Sequence, residues 1–224
     1  QFRAPFTLES GTYQGQTSIG VALVGDDLIT ADDVLKRTEL AMLEAKKQGK
    51  NQAVVFDQRM QDELFARVQF EDALRGAIPS QLLVHYQPQI DQQKGLLGAE
   101  VLVRWRHPEQ GVISPARFIP LAEETGLIVP IGQWVLEAAC AQAQRWKDAG
   151  LPPIRLAVNV SAREFTSALP GRVMETLRRY GLEATWLELE ITESTLMHNI
   201  DRVIGIMDRI TAIDRKSTRL NSSH

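Results

Sequence analysis

From residue 82 onward the sequence switches repeatedly between two periodicities, and that alternation restricts the fold more than any other feature. LLVHYQPQID and LLGAEVLVRW read as strands, joined by the turn QQKG into a hairpin. PARFIPLAEETG and IGQWVLEAACAQAQRWKDAG read as helices, the second stopped by Gly150 and by Pro152 and Pro153. IRLAVNVS reads as a strand, SALPGRVMETLRRYG as a helix, WLELEITE as a strand and NIDRVIGIMDRITAI as a helix. Strands alternating with helices predict a mainly parallel sheet, either open or closed into a barrel. In such a barrel, functional side chains collect at the C-terminal ends of the strands.

The chain before this region has a different pattern. TSIGVALVG reads as a strand and QAVVFD as a shorter one. Between them, TADDVLKRTELAMLEAKKQGKN reads as a helix, with Thr30 or Asp32 as its cap, Val34, Leu35, Ala41, Met42 and Ala45 as its apolar stripe, and Gly49 as its stop. QRMQDELFARVQFEDALRGAI then places Met60, Leu64, Val68 and Leu74 at helical spacing in an otherwise polar segment, as expected of a connecting helix.

Composition removes several function classes. A net charge of −3 gives no broad electrostatic case for a nucleic-acid polymer or a membrane surface. No apolar run is long enough to span a bilayer, so the fragment is expected to make no membrane contact. The single cysteine, Cys140, lies among alanines and reads as a buried helix thiol. No P-loop, Gly-rich dinucleotide motif or Ser-His-Asp arrangement is present.

The chemistry is concentrated where polar residues interrupt strands. In GAEVLVRWRHPEQG, residues 98–111, alternation puts Glu100, Leu102, Arg104 and Arg106 on one face and Val101, Val103 and Trp105 on the other. Asn159 interrupts LAVNVS, Glu190 interrupts LELEITE, and Glu193 follows just beyond. An unpaired buried carboxylate is costly. Two carboxylates and an amide oxygen converging at a barrel mouth would call for a cation, and an all-oxygen donor set favours Mg²⁺ or Mn²⁺. Arg104 would then be left for an anion such as phosphate, with Gln87 available to a base or phosphate. The same residues also fit plainer roles: Glu100 paired with Arg104 or Arg106 at the rim, Asn159 capping the next helix, Glu188 and Glu190 on a solvated strand face. Arg106 is expected to form a rim salt bridge. His85 is expected to be packed or hydrogen-bonded, His107 lies in a loop without a second metal-spaced ligand, and His198 is expected to be exposed.

HYQPQID, GAEVLVRWRHPEQGVISPARFIPLAEETGLIVPIGQWVLEAAC, LAVNVSAREF and LELEITES occur in the order of the motifs of an EAL domain, and residues 71–213 resemble the N-terminal part of that cyclic di-GMP phosphodiesterase module. The resemblance implies an incomplete (β/α)8 TIM-like barrel and metal-assisted hydrolysis of cyclic di-GMP to pGpG. It implies that Glu100, Asn159 and Glu190 hold Mg²⁺ or Mn²⁺, with Glu100 and Glu190 as catalytic ligands. Arg104 and Gln87 would contact substrate, and Glu193 would steady a neighbouring loop. Val101 stands where the signature usually has Ala, on the face opposite Glu100. The family's next Asp-Asp-containing strand, and its later Lys, Glu and Gln, are not found.

Residues 1–57, through SIGVA and the helix ending AKKQGKN, resemble the C-terminal part of an α+β GGDEF domain, with residues 58–70 as the connecting helix. That resemblance aligns Lys46 with a nucleotide phosphate contact, and Lys50 with a position usually held by arginine. Thr38 and Glu39 replace the usual Ala-Asp, and Leu43 replaces a Tyr, changes pointing to a degenerate cyclase. A solvated helix end fits both lysines equally. Residues 214–224, DRKSTRLNSSH, resemble one reading frame of a sequencing adapter, so the natural chain is expected to be cut short near Ile213. The expected parent is a cytoplasmic signalling protein, membrane-anchored or not through upstream segments, whose isolated fragment is inactive. The competing expectation is a catalytically silent cyclic di-GMP receptor that acts by rearranging a homodimer.

Overall fold

A computed structural model describes residues 5–25, 30–93 and 95–191. The chain divides into two compact units between Asp72 and Ala73.

In the first unit, β1 (Phe6–Leu8) and β2 (Gly11–Tyr13) form an antiparallel hairpin that has no clear signal in the sequence. β3 (Ile19–Val21), α1 (Ala31–Lys47) and β4 (Ala53–Val55) form a parallel strand–helix–strand unit. The strand expected over TSIGVALVG is confined to three residues because its partner offers no more; Leu23 and Val24 beyond it are exposed. Thr30 caps α1: its hydroxyl accepts from the Asp33 amide at 3.2 Å, and the Asp33 carboxylate accepts from the Thr30 amide at 3.3 Å. The Thr30 bonds hold the Asp33 carboxyl below its ordinary range. Only part of the predicted stripe is buried: Ala41 and Ala45 are covered, whereas Leu35 is 62% exposed. Gly20 lets α1 approach β3, since a Cβ there would lie 1.9 Å from the Thr38 carbonyl oxygen.

α2 (Gln58–Ala77) carries the chain across the division, with Leu74 and Ala77 buried in the second unit. There follow β5 (Leu82–Asp91), β6 (Gly95–His107), β7 (Gly111–Ile113), α3 (Pro115–Thr125), α4 (Ile128–Asp148), β8 (Arg155–Val160), α5 (Leu169–Arg179), a 3-10 turn (Ala184–Trp186) and β9 (Leu187–Ile191). The sheet order is β5-β6-β8-β9, with β7 also on β6. β5 and β6 are antiparallel, as the QQKG turn predicts; β6, β8 and β9 are parallel, as strand–helix alternation requires. This is a mixed α/β fold with the organisation of an incomplete barrel.

One edge of β6 is shared. β8 pairs with Gly98–Val101 and β7 with Trp105–His107, leaving residues 102–104 between them. The covered face of the sheet packs on α4, which buries Ile128, Ile131, Val135, Leu136, Ala139, Cys140 and Ala143. Trp105 is fully buried there, its ring edge-on to Phe118 at 6.0 Å and its indole N–H donating to Gln81 Oε1 at 3.0 Å. Cys140 is buried as expected, and burial pushes its thiol up to about 12. The helix expected at residues 199–213, the adapter-like residues 214–224, His198 and Glu193 lie outside the described residues.

Candidate functional site

The other face of the sheet carries the polar residues. Gln87 on β5 stands opposite Glu100 on β6, and Asn159 on β8 stands opposite Glu190 on β9. The Asn159 amide Nδ2 donates to Glu100 Oε1 at 2.8 Å, linking the two pairs. Four strands therefore contribute one contiguous row: Gln87, Glu100, Asn159, Glu190. Asn159 and Glu190 are each the penultimate residue of their strand. Glu100 is mid-strand in β6, but it sits one residue before the end of the stretch that pairs with β8, so it too lies at the C-terminal end of the parallel ladder.

This placement decides between the plainer roles. Glu100 hydrogen-bonds to Asn159, whereas Arg104 donates through Nη1 to the Val103 carbonyl of its own strand at 2.8 Å. Asn159 therefore faces Glu100 rather than capping a helix. Glu188 does take a plain role, an ion pair with Arg155 at 2.9 Å at the other end of β8 and β9. Two expectations fail. Arg106 makes no ion pair among the described residues, because at that level of β6 its neighbours are β7 and the Gln81 carbonyl, which supply no carboxylate. Among the described residues His85 is neither packed nor hydrogen-bonded: it is exposed, because the described helices cover the opposite face. His107 is engaged instead, its Nδ1 accepting from the Glu109 and Gln110 amides at 3.1 and 3.2 Å. Val101 is buried on the face opposite Glu100.

Where β6 leaves β8, a cavity of about 280 Å³ opens, lined by Leu102, Arg104, Asn159, Ser161 and Glu164 together with apolar residues of α3 and α4. Glu164 has no evident sequence signal, yet it organises the loop that follows Asn159. It is only 6% exposed, and its Oε2 accepts from the Ser161 amide at 3.1 Å. Burial pushes its carboxyl up to about 7, against the lowering effect of the Ser161 hydrogen bonding and of Arg172. Gly132 on α4 makes the fit possible, since a Cβ there would lie 1.7 Å from Glu164 Oε1. The only available hint is a pairing that no local pattern reveals: a glycine inside a helix and an acid on a distant loop.

Lys46 and Lys50 are both exposed, the first in the last turn of α1 and the second beyond it at a positive φ of 63°.

The chain is 39% identical over 212 residues to the bifunctional diguanylate cyclase/cyclic di-GMP phosphodiesterase MucR of Pseudomonas aeruginosa, a match covering 93% of this chain and 31% of that protein. It is 32% identical over 215 residues to the cyclic di-GMP phosphodiesterase PdeR of Escherichia coli, covering 95% and 32%. The chain thus spans under a third of the length of these relatives. Among solved structures, the PaMucR phosphodiesterase in complex with c-di-GMP shares 44% identity with a TM-score of 0.62, over 65% of this chain and 60% of that one. An EAL enzyme bound to cAMP and cyclic di-GMP shares the fold at 21% identity and a TM-score of 0.63, over 83% of this chain and 50% of that one. Residues 71–216 match the EAL domain, and the chain belongs to that family.

Proposed function

We propose that the second unit binds cyclic di-GMP on its uncovered sheet face and that the protein containing it hydrolyses this nucleotide to pGpG. The Gln87–Glu100–Asn159–Glu190 row is the observation that carries this reading, supported by the phosphodiesterase relatives. The donor set suits a hard divalent ion: two carboxylates and an amide, with Asn159 able to present Oδ1 when its side chain turns from the Glu100 hydrogen bond. Glu100, Asn159 and Glu190 would hold Mg²⁺ or Mn²⁺, which when bound makes water a stronger nucleophile and offsets charge developing on the phosphoryl group. Arg104 spends one N–H on the Val103 carbonyl and keeps the rest of its fork for a phosphate. Gln87, beside Glu100, offers amide donors and an acceptor to the nucleotide. Glu164 keeps the chain after Asn159 in place through the Ser161 amide. Glu193 remains the proposed support of a neighbouring loop.

The test is calorimetric titration of the 224-residue chain with cyclic di-GMP and Mg²⁺, with the nucleotide then recovered after incubation with Mn²⁺. Saturable binding that Arg104→Ala weakens about tenfold or more is expected, the loss of a hydrogen bond between charged groups. No binding, or binding indifferent to Arg104, contradicts the reading. A second reading is a receptor that binds the nucleotide on the same face without cleaving it, in which Asn159 keeps its hydrogen bond to Glu100 rather than turning its oxygen to a cation. The 224-residue chain is expected to leave the nucleotide intact on either reading, so the two part in the longer protein that contains it: binding without cleavage there supports the receptor, and metal-dependent pGpG opposes it.

We further infer that residues 1–57 are the C-terminal part of a GGDEF domain, that residues 58–70 connect it, and that Lys46 and Lys50 face nucleotide phosphates there. The match to bifunctional MucR extends across 93% of the chain, and so into this unit. Among the described residues no helix is long and apolar enough to cross a membrane. Because cyclic di-GMP is the proposed ligand, we place the unit in the cytoplasm.

A further inference from the structure

The ladder between β5 and β6 places one more side chain on the candidate face. Gln87 stands opposite Glu100, His85 opposite Leu102, and Leu83 opposite Arg104. Alternate residues of a strand share a face, so His85 lies on the side of Glu100 and Arg104. Its neighbours Val84 and Tyr86 take the other side, where the Tyr86 ring meets Trp146 edge-on at 5.4 Å.

His85 is exposed, and it makes no hydrogen bond, ion pair or ring contact among the described residues. The contrast with His107 is instructive: that ring has Nδ1 occupied by two backbone amides and its edge against Trp105. Both His85 nitrogens are open. Four residues of extended chain separate the level of Glu100 from that of Arg104, roughly 13 Å along the strand. A ligand touched by both Gln87 and Arg104 must therefore cross the level of His85. The cross-strand neighbour there is Leu102, which offers no hydrogen bond, so His85 is the polar group at that level of the β5–β6 pair.

We propose that His85 is a substrate-contacting residue, donating an imidazole N–H to a phosphate oxygen of the cyclic dinucleotide alongside Arg104. The inference rests on the cyclic di-GMP reading above and adds to it a specificity-determining contact on β5. An imidazole donor beside a guanidinium would favour a phosphodiester over a neutral base or sugar of similar size.

The experiment is a titration of the 224-residue chain with cyclic di-GMP and Mg²⁺, following the imidazole proton signals of His85 by NMR, with calorimetry on the wild type, His85→Ala, His85→Gln and Arg104→Ala. The His85 signals, identified by their loss in His85→Gln, should shift saturably with the nucleotide, and His85→Ala should weaken binding about tenfold. His85→Gln, which keeps an N–H donor, should recover part of that loss. Guanosine, which lacks phosphate, should leave the signals in place. If wild type and Arg104→Ala differ in affinity while His85→Ala binds like wild type, the His85 contact is overturned and the cyclic di-GMP reading survives. A wild type that binds no cyclic di-GMP overturns both. Guanosine shifting the signals as far as the dinucleotide does would overturn the phosphate assignment. Should His85→Ala lower the melting temperature by several degrees, the wild-type NMR titration alone decides.

Discussion

On the covered face of the second unit's sheet, Val101, Trp105, Leu156, Val158 and Val160 are buried against the helices; on the uncovered face, Gln87, Glu100, Asn159 and Glu190 form a polar row of hydrogen-bonding groups. Both faces are built by the same strands, often by adjacent residues: Val101 is buried and Glu100 beside it accepts from Asn159. The first face gains free energy from every apolar side chain it hides, about 1.5–3 kcal/mol for a fully buried large one. The second face gains little, and would pack better with apolar residues. Apolar burial and the polar row are thus separated by one residue of strand register, and substitutions on the two faces should fail in different ways.

The largest effect is expected deep in the covered face. Trp105→Ala removes a fully buried ring, its edge contact with Phe118 and its indole bond to Gln81. It should cost about 3–5 kcal/mol, read as a lower urea midpoint. A cost below about 1 kcal/mol, the range of exposed positions, would break the comparison at its strongest point.

Glu164 sharpens the boundary between the faces, because it is a buried acid that serves the loop after Asn159. Its folded pKa of about 7 lies above the ordinary 4.5. Below pH 4.5 both folded and unfolded forms carry the proton. Between 4.5 and 7 the unfolded form has released it and the folded form has not, so stability falls as pH rises and levels off above 7. The total fall is about 3 kcal/mol. Glu164→Gln, which keeps an acceptor for the Ser161 amide, should flatten the pH–stability profile over that interval. An unchanged profile would show that the carboxyl ionises freely in the fold. Gly132→Ala drives a Cβ into the space of Glu164 Oε1 and should cost about 1–3 kcal/mol. The cost should largely vanish in a Glu164→Ala background; additive effects would place the strain elsewhere.

Much of this division is legible in the sequence where periodicity reports it. Alternation along GAEVLVRW assigns Glu100 and Arg104 to one side and Val101 and Trp105 to the other, and β6 keeps that assignment. The helix start at Thr30 or Asp32, which the structure resolves to Thr30, and the antiparallel β5–β6 turn are local chemistry and also readable. What escapes is decided by tertiary approach. β7 is three residues long and exists because the edge of β6 is vacant beyond β8. The Gly132–Glu164 contact joins a helix and a loop with no shared pattern. His85 reads as an ordinary strand residue until the described helices are seen to pack on the opposite face.

The smallest effect on stability is expected in the polar row, where the functional effect should be largest. Asn159→Ala removes the hydrogen bond to Glu100 at an exposed position and should change stability by no more than about 1 kcal/mol. The decisive measurement is a calorimetric titration of cyclic di-GMP with Mg²⁺ into wild type and Asn159→Ala, paired with their urea midpoints. If the row is a ligand face, the midpoints nearly coincide and the Mg²⁺-dependent part of the binding is lost in the variant. If the variant unfolds markedly earlier yet binds cyclic di-GMP with unchanged Mg²⁺ dependence, the row is a structural network and the assignment of this face is wrong.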